Sequence, residues 1–173
     1  FTIAFGLLST RVRTESNPLT FLDPDHPAVV DSRFVGENFS GLYTLETVLQ
    51  FPGSWLDQRN WPVIDAQAAA LEEETGIVRV ITPLDYLKKL RQWSVGGAAD
   101  AYQLPESGEL ARQLVESLPE ETRAPLMALV SPDGTRVRLS SLVRVMDGAA
   151  LLDILHRSDA ALETAPEGIT GYH

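Results

Sequence analysis

Asp23, Asp25 and His26 crowd into one short stretch, Asp23 to Pro27, that also holds Pro24 and Pro27. Two carboxylates and an imidazole are metal-ligand types, and the same groups serve as general acids and bases. The intervening prolines and a helix-capping role account for them without a metal, so no metal site is expected. His156 and His173 stand alone, and no zinc-type spacing occurs. Glu72, Glu73 and Glu74 occupy consecutive helix positions and diverge in direction, which makes them a solvated face rather than a carboxylate pair. The paired glycines of "SVGGAAD" follow no strand and read as a hinge or loop. No nucleophile elbow, phosphate-binding loop or dinucleotide fingerprint is present, so no catalytic residue and no cofactor is expected. The aromatic residues are the more informative group. Trp55 and Trp61 flank a loop, and Tyr86, Leu90 and Trp93 follow one another at helical spacing up to a glycine-rich break. Such residues either close a core or wall a cleft for an apolar ligand. The five are the candidate ligand-binding residues.

Composition bounds the rest. The chain has 173 residues, 44% of them hydrophobic, with a formal net charge of −10. That suits one domain with a core of its own. With no cysteine, disulfides and thiolate metal sites are excluded. The acid excess and the lack of any basic run disfavour nucleic acid as a partner. "FTIAFGLLS" at the start is apolar and is followed by Arg11 and Arg13. It reads either as a buried element or as the last turns of a membrane helix.

Elements must position these residues. Asp25-His26-Pro27 marks a helix start with Asp25 as cap, and Val30 with Phe34, then Val35 with Phe39, recur at four-residue spacing to Ser40-Gly41. Residues 43–51 alternate as a strand, with Leu45, Thr47, Leu49 and Phe51 on one face. Asn60 is placed to cap a helix from about Pro62 to Thr75, with Ile64, Ala68 and Leu71 as its stripe and Gly76 as its stop. A second strand covers 77–82. Thr82-Pro83-Leu84-Asp85 opens the helix that carries Tyr86, Leu90 and Trp93. Another helix spans 106–118, aligning Leu110, Leu114 and Leu118. Residues 125–130 and 135–145 predict a hairpin about Ser131-Pro132-Asp133-Gly134. A helix over 148–164, with Leu151, Leu155 and Leu162, leads to a last strand in "GITGYH". The expected fold is α+β: a ferredoxin-like split βαβ arrangement with a helical insertion at about 83–124 and an extra hairpin strand.

The stretch "ESNPLTFLDPDHPAVVDSRFVGENFSGLYTLETVLQF" (15–51) resembles the start of the first large periplasmic loop in transporters of the resistance–nodulation–division (RND) superfamily, in the branch that exports lipids such as hopanoids. The matching residues are Phe21 to Pro27, Glu37-Asn38, Gly41 and Leu45-Glu46. "EEETGIVRVITPLDYLKKL" and "GITGYH" resemble later parts of the same loop, while residues 84–124 match only in being helical. The resemblance implies that residues 1–16 are the end of a membrane helix and its connector, and that 17–173 form a periplasmic porter domain of an inner-membrane, proton-driven transporter. It implies a hydrophobic lipid cargo, hopanoid- or sterol-like, and a second porter loop of the same transporter as partner, with a periplasmic adaptor as a further one. A structural, adaptor-docking module without its own ligand is the alternative, and a small hydrolase a more distant one.

Overall fold

The structure is a computed structural model that describes residues 18–38, 43–144, 148–162 and 167–172, apart from the side chains of residues 37, 148, 149 and 161. The membrane-helix and connector expectation for 1–16, together with Phe39, Ser40-Gly41, Val145 and His173, lies outside the described residues.

The α+β class is what is found. Six α-helices and a four-stranded antiparallel sheet make up the described residues. In chain order these are α1 (Pro27–Asn38), β1 (Tyr43–Gln50), α2 (Trp61–Glu72), β2 (Ile77–Ile81), α3 (Pro83–Ser94), α4 (Gly108–Glu116), α5 (Glu120–Met127), β3 (Arg136–Val143), α6 (Gly148–Leu162) and β4 (Thr170–Tyr172). The sheet order is β2-β3-β1-β4. β1 and β3 form the long central pair, in register from Tyr43 opposite Val143 to Gln50 opposite Arg136. Because every neighbouring pair is antiparallel, β1 and β2 run parallel with β3 between them. β3 and β4 likewise run parallel with β1 between them. Each parallel pair is joined through helical structure, which makes two interleaved split βαβ units.

Alternation in the strands decides which face is buried. Thr47 and Leu49 on β1 and Val137, Leu139, Ser141 and Val143 on β3 point to the helices. Ile64 and Leu71 of α2, Leu84 and Leu87 of α3 and Ile154 of α6 join that core. Apolar burial contributes roughly 1.5–3 kcal/mol per fully buried side chain of this size before entropy is counted. The helical stretch at about 83–124, between β2 and β3, packs into this core: Leu84, Leu87, Leu90, Ala111 and Val115 belong to the same cluster as Leu49 and Leu139. Thr82 starts α3 with a full capping box, accepting from the Asp85 N–H while Asp85 accepts from the Thr82 N–H.

Several expectations need correction. The extra hairpin strand is not formed. The segment Glu120–Met127 is helical, and only an isolated bridge, Val130 to Val137, represents the first arm. The reason is visible in spacing: Leu126, Leu129 and Val130 are buried at helical intervals, and a short apolar run does not by itself discriminate strand from helix. The turn itself is as expected, closed by the Gly134 N–H donating to the Ser131 carbonyl at 2.8 Å, with Gly134 at φ 69°. Helix faces are rotated from the expected stripes. In α4 the buried residues are Ala111 and Val115, with Leu110, Leu114 and Leu118 half-buried. In α6 they are Ile154 and Ser158, with Leu151, Leu155 and Leu162 half-buried. Asn60 sits at the start of α2 without a side-chain cap bond, because its amide donates to the Ser54 carbonyl at 2.9 Å.

Candidate functional site

The segment Asp23–Pro27 does its work on the backbone. Asp23 Oδ1 accepts from the Asp25 N–H at 2.9 Å, and the His26 N–H donates to the Asp23 carbonyl at 2.8 Å. His26, not Asp25, caps α1: its Nδ1 accepts from the Ala28 N–H at 3.2 Å, while its carbonyl takes the Val29 and Val30 N–H groups. The residue immediately before the first helical proline is the one whose side chain reaches the open N–H of the second turn position, and that residue is His26.

The glutamates at the end of α2 and just beyond it are not simply solvated. Glu72 Oε1 accepts from the Val80 N–H at 3.1 Å, tying the helix to β2. Glu74 accepts from the Arg157 guanidinium of α6, with Nε to Oε1 at 2.7 Å. The Glu74 carboxyl is held below its ordinary value first by that hydrogen bond. The strongest depressions fall on turns. Asp57 is lowered to about 2, chiefly by the side-chain hydrogen bond from Arg59. Asp133 is also lowered to about 2, chiefly by the Ser131 hydroxyl and then by the Thr135 N–H. Both perturbations close loops.

The five candidate ligand-binding residues do not form one wall. Trp55 and Trp61 are 3% and 4% exposed and sit in the core, where Trp61 Nε1 donates to the Trp55 carbonyl at 3.1 Å. Leu90 is buried in the same cluster, and Tyr86 packs against it half-buried. A ligand reaches Trp55, Trp61 and Leu90 only by opening the core, whereas Tyr86 keeps part of its surface exposed. Trp93 departs from them at 56% exposed, with Lys89 Nζ 5.6 Å from its ring centre. The Tyr86–Leu90–Trp93 stripe failed because α3 presents Leu84, Leu87 and Leu90 inward, which rotates Trp93 off the buried face. Val95 and Tyr102 are exposed beyond it, and Gly96 and Gly97 turn the chain at φ 92° and 86°. The Tyr102 hydroxyl is raised above its ordinary value, first by burial and then by the Asp85 charge.

Concave apolar surface lies elsewhere. The 3₁₀ turn Pro18–Phe21 and α1 line an open surface cleft of about 380 Å³. Leu19, Leu22, Pro24 and Val29 supply its apolar walls, and Thr20, Ser32 and Arg33 its polar edge. Phe21 is 77% exposed and Phe34 58%, and Val30 is exposed with them. The four-residue spacing of Val30 and Phe34 marked one helix face in the sequence, and both residues are exposed on it. A second groove of about 400 Å³, between the Trp55–Trp61 loop and the start of α4, is polar, and its Arg59 and Arg112 are paired with Asp57 and Glu109. Among the described residues no helix is long and apolar enough to cross a membrane, and no cluster of three or more His, Asp or Glu is placed to hold a metal. No protein-family model matches this chain, and no curated protein matches it in sequence.

Proposed function

We propose that this chain is a porter-type periplasmic domain of an inner-membrane, proton-driven RND-superfamily transporter that moves an apolar lipid. One observation carries the reading: two interleaved split βαβ units built on the order β2-β3-β1-β4, entered through the "FLDPDHP" phrase that resembles such loops. We read that sheet as ferredoxin-like, with the 83–124 region as an integrated rather than peripheral addition. Fold alone does not give function. What adds to the reading is apolar surface beside α1, close in sequence to the apolar segment at residues 1–9. In this reading the domain holds cargo transiently, and a second porter loop of the transporter completes its enclosure. The exposed Trp93, Val95 and Tyr102 favour a second role for the far end of α3, docking to a periplasmic adaptor.

The test uses the full-length parent in proteoliposomes with a fluorescent lipid. Lipid extrusion should require an imposed proton gradient and should stop when residues 17–173 are replaced by an inert linker. Extrusion that persists without the domain, or a parent with no membrane helices flanking it, would overturn the reading.

A further inference from the structure

The order β2-β3-β1-β4 leaves β2 and β4 at the two edges of the sheet, where backbone groups can pair with a strand from another chain. β4 has three residues, and an edge that short offers little to pair with. β2 has five, Ile77-Val78-Arg79-Val80-Ile81, and four of them are β-branched. Val78 and Arg79 are exposed, so this edge meets solvent. By length, composition and exposure, β2 is the edge that invites strand addition.

Its outward amides are already taken. Glu72, the last residue of α2, reaches back over the turn at Gly76, and its Oε1 accepts from the Val80 N–H at 3.1 Å. Ser141 of β3 lies opposite Val80, so this is a non-hydrogen-bonded pair of the ladder and the Val80 N–H points away from β3. Two residues on, the Thr82 N–H donates to Asp85 Oδ2 at 2.9 Å. An incoming strand thus meets two carboxylates where it needs two donors. The irregularity between Ile77 and Arg79, and the Arg79 charge, further spoil the edge for pairing. The two carboxylates are not equivalent. Asp85 belongs to the capping box of α3, so its loss also weakens that helix. Glu72 is exposed at a helix end and can be changed without opening the core.

We propose that Glu72 is a latch on the β2 edge: its carboxylate holds the Val80 amide closed against β2 of a second copy and so keeps the domain from pairing with itself. Without the latch, two copies join β2 to β2 antiparallel about a two-fold axis, since one edge then supplies both donor and acceptor. The latch does not depend on what the domain carries.

The test separates reach from charge in the full 173-residue chain. Glu72→Asp keeps the charge and draws the carboxylate back by one methylene. Glu72→Gln keeps the reach and an accepting oxygen and loses the charge. Glu72→Ala loses both. In dilute solution the Val80 amide should exchange about tenfold faster in the Glu72→Asp and Glu72→Ala chains than in the parent, and near the parent rate in Glu72→Gln. The Leu139 amide, in the central strand, should keep its rate in all of them, which shows that the fold is intact. In concentrated solution, sedimentation velocity should find a dimer for Glu72→Asp and Glu72→Ala and a monomer for the parent and Glu72→Gln. The chain has no cysteine, so a spin label on Val78→Cys reports on β2 alone, and its spectrum should broaden when the dimer forms. Unchanged Val80 exchange in Glu72→Ala, or Glu72→Asp and Glu72→Ala chains that stay monomeric, overturns the latch. Dimerisation of Glu72→Gln to the same extent also overturns it, since charge and not the hydrogen bond then keeps copies apart. A dimer whose Val78 labels do not approach one another, or a parent that already pairs through them, overturns it as well.

Discussion

Trp55 and Trp93 share a residue type and differ in what surrounds them, and that difference sets their expected behaviour. Trp55 and Trp61 are packed among core residues and linked by a buried hydrogen bond. Removing either ring leaves a cavity, and large-to-small core changes of this kind cost about 3–5 kcal/mol. Trp55→Ala and Trp61→Ala should therefore shift the denaturant midpoint strongly. Trp93→Ala, which removes a side chain mostly in water, should stay within about 0.5 kcal/mol. Equal losses at all three would contradict the burial difference. Acid response is also set by single residues. Asp133 and Asp57 are depressed from 3.8 to about 2 in the folded chain. A depressed carboxyl contributes stability above its unfolded value and loses it as pH falls through the folded value. The melting temperature should hold at pH 5 and fall between about pH 4 and pH 2. Asp133→Asn, which removes one titrating group from the Ser131–Gly134 turn, should flatten part of that fall. A variant as acid-sensitive as the parent would show that the turn does not couple to global unfolding.

Elements were legible where local chemistry and tertiary packing agree. The Thr82–Asp85 capping box, the alternation in β1 and the Ser131–Gly134 turn are each specified within a few residues. Helix faces were less legible. A stripe such as Tyr86–Leu90–Trp93 obeys helical spacing as well as Leu84–Leu87–Leu90 does, and only the position of the sheet selects between them. Close approach is another property of elements in place. A Cβ on Gly108 would collide with the Leu56 carbonyl oxygen, a backbone atom that cannot swing aside. Gly108→Ala should cost about 1–3 kcal/mol by displacing α4 from the Trp55–Trp61 loop, although alanine is the better helix former. Denaturant unfolding of this variant beside Gly36→Ala, which meets open space, measures the packing part of that cost. If the two variants prove equally stable, the close approach is relaxed without cost.

At the scale of the whole molecule, one core joins the sheet to every helix from α2 to α6. Opening of the backbone should follow that core rather than sequence neighbourhood. Amide exchange should be as slow across residues 84–90 as across 137–143, and fast across 95–103, where exposed residues and the Gly96-Gly97 turn lie. Fast exchange across 84–90 would show that this helix opens independently of the shared core. The sequence by itself determined the α+β class, the strands β1 to β3, the starts of α1 and α3 and the turn at Ser131–Gly134. Each follows from period, capping or turn chemistry read over a few neighbouring residues. It also picked out the Asp23–Pro27 stretch as a helix lead-in, since prolines and caps act locally. Only the tertiary structure decided which tryptophans are core, which glutamates bind a neighbouring element, and that a cleft lies beside α1 rather than along Trp55, Trp61 and Trp93. Those outcomes depend on which surfaces meet. Amphipathic spacing shows that an element has an apolar side, whereas its burial depends on a partner face distant in the chain, which no local pattern contains.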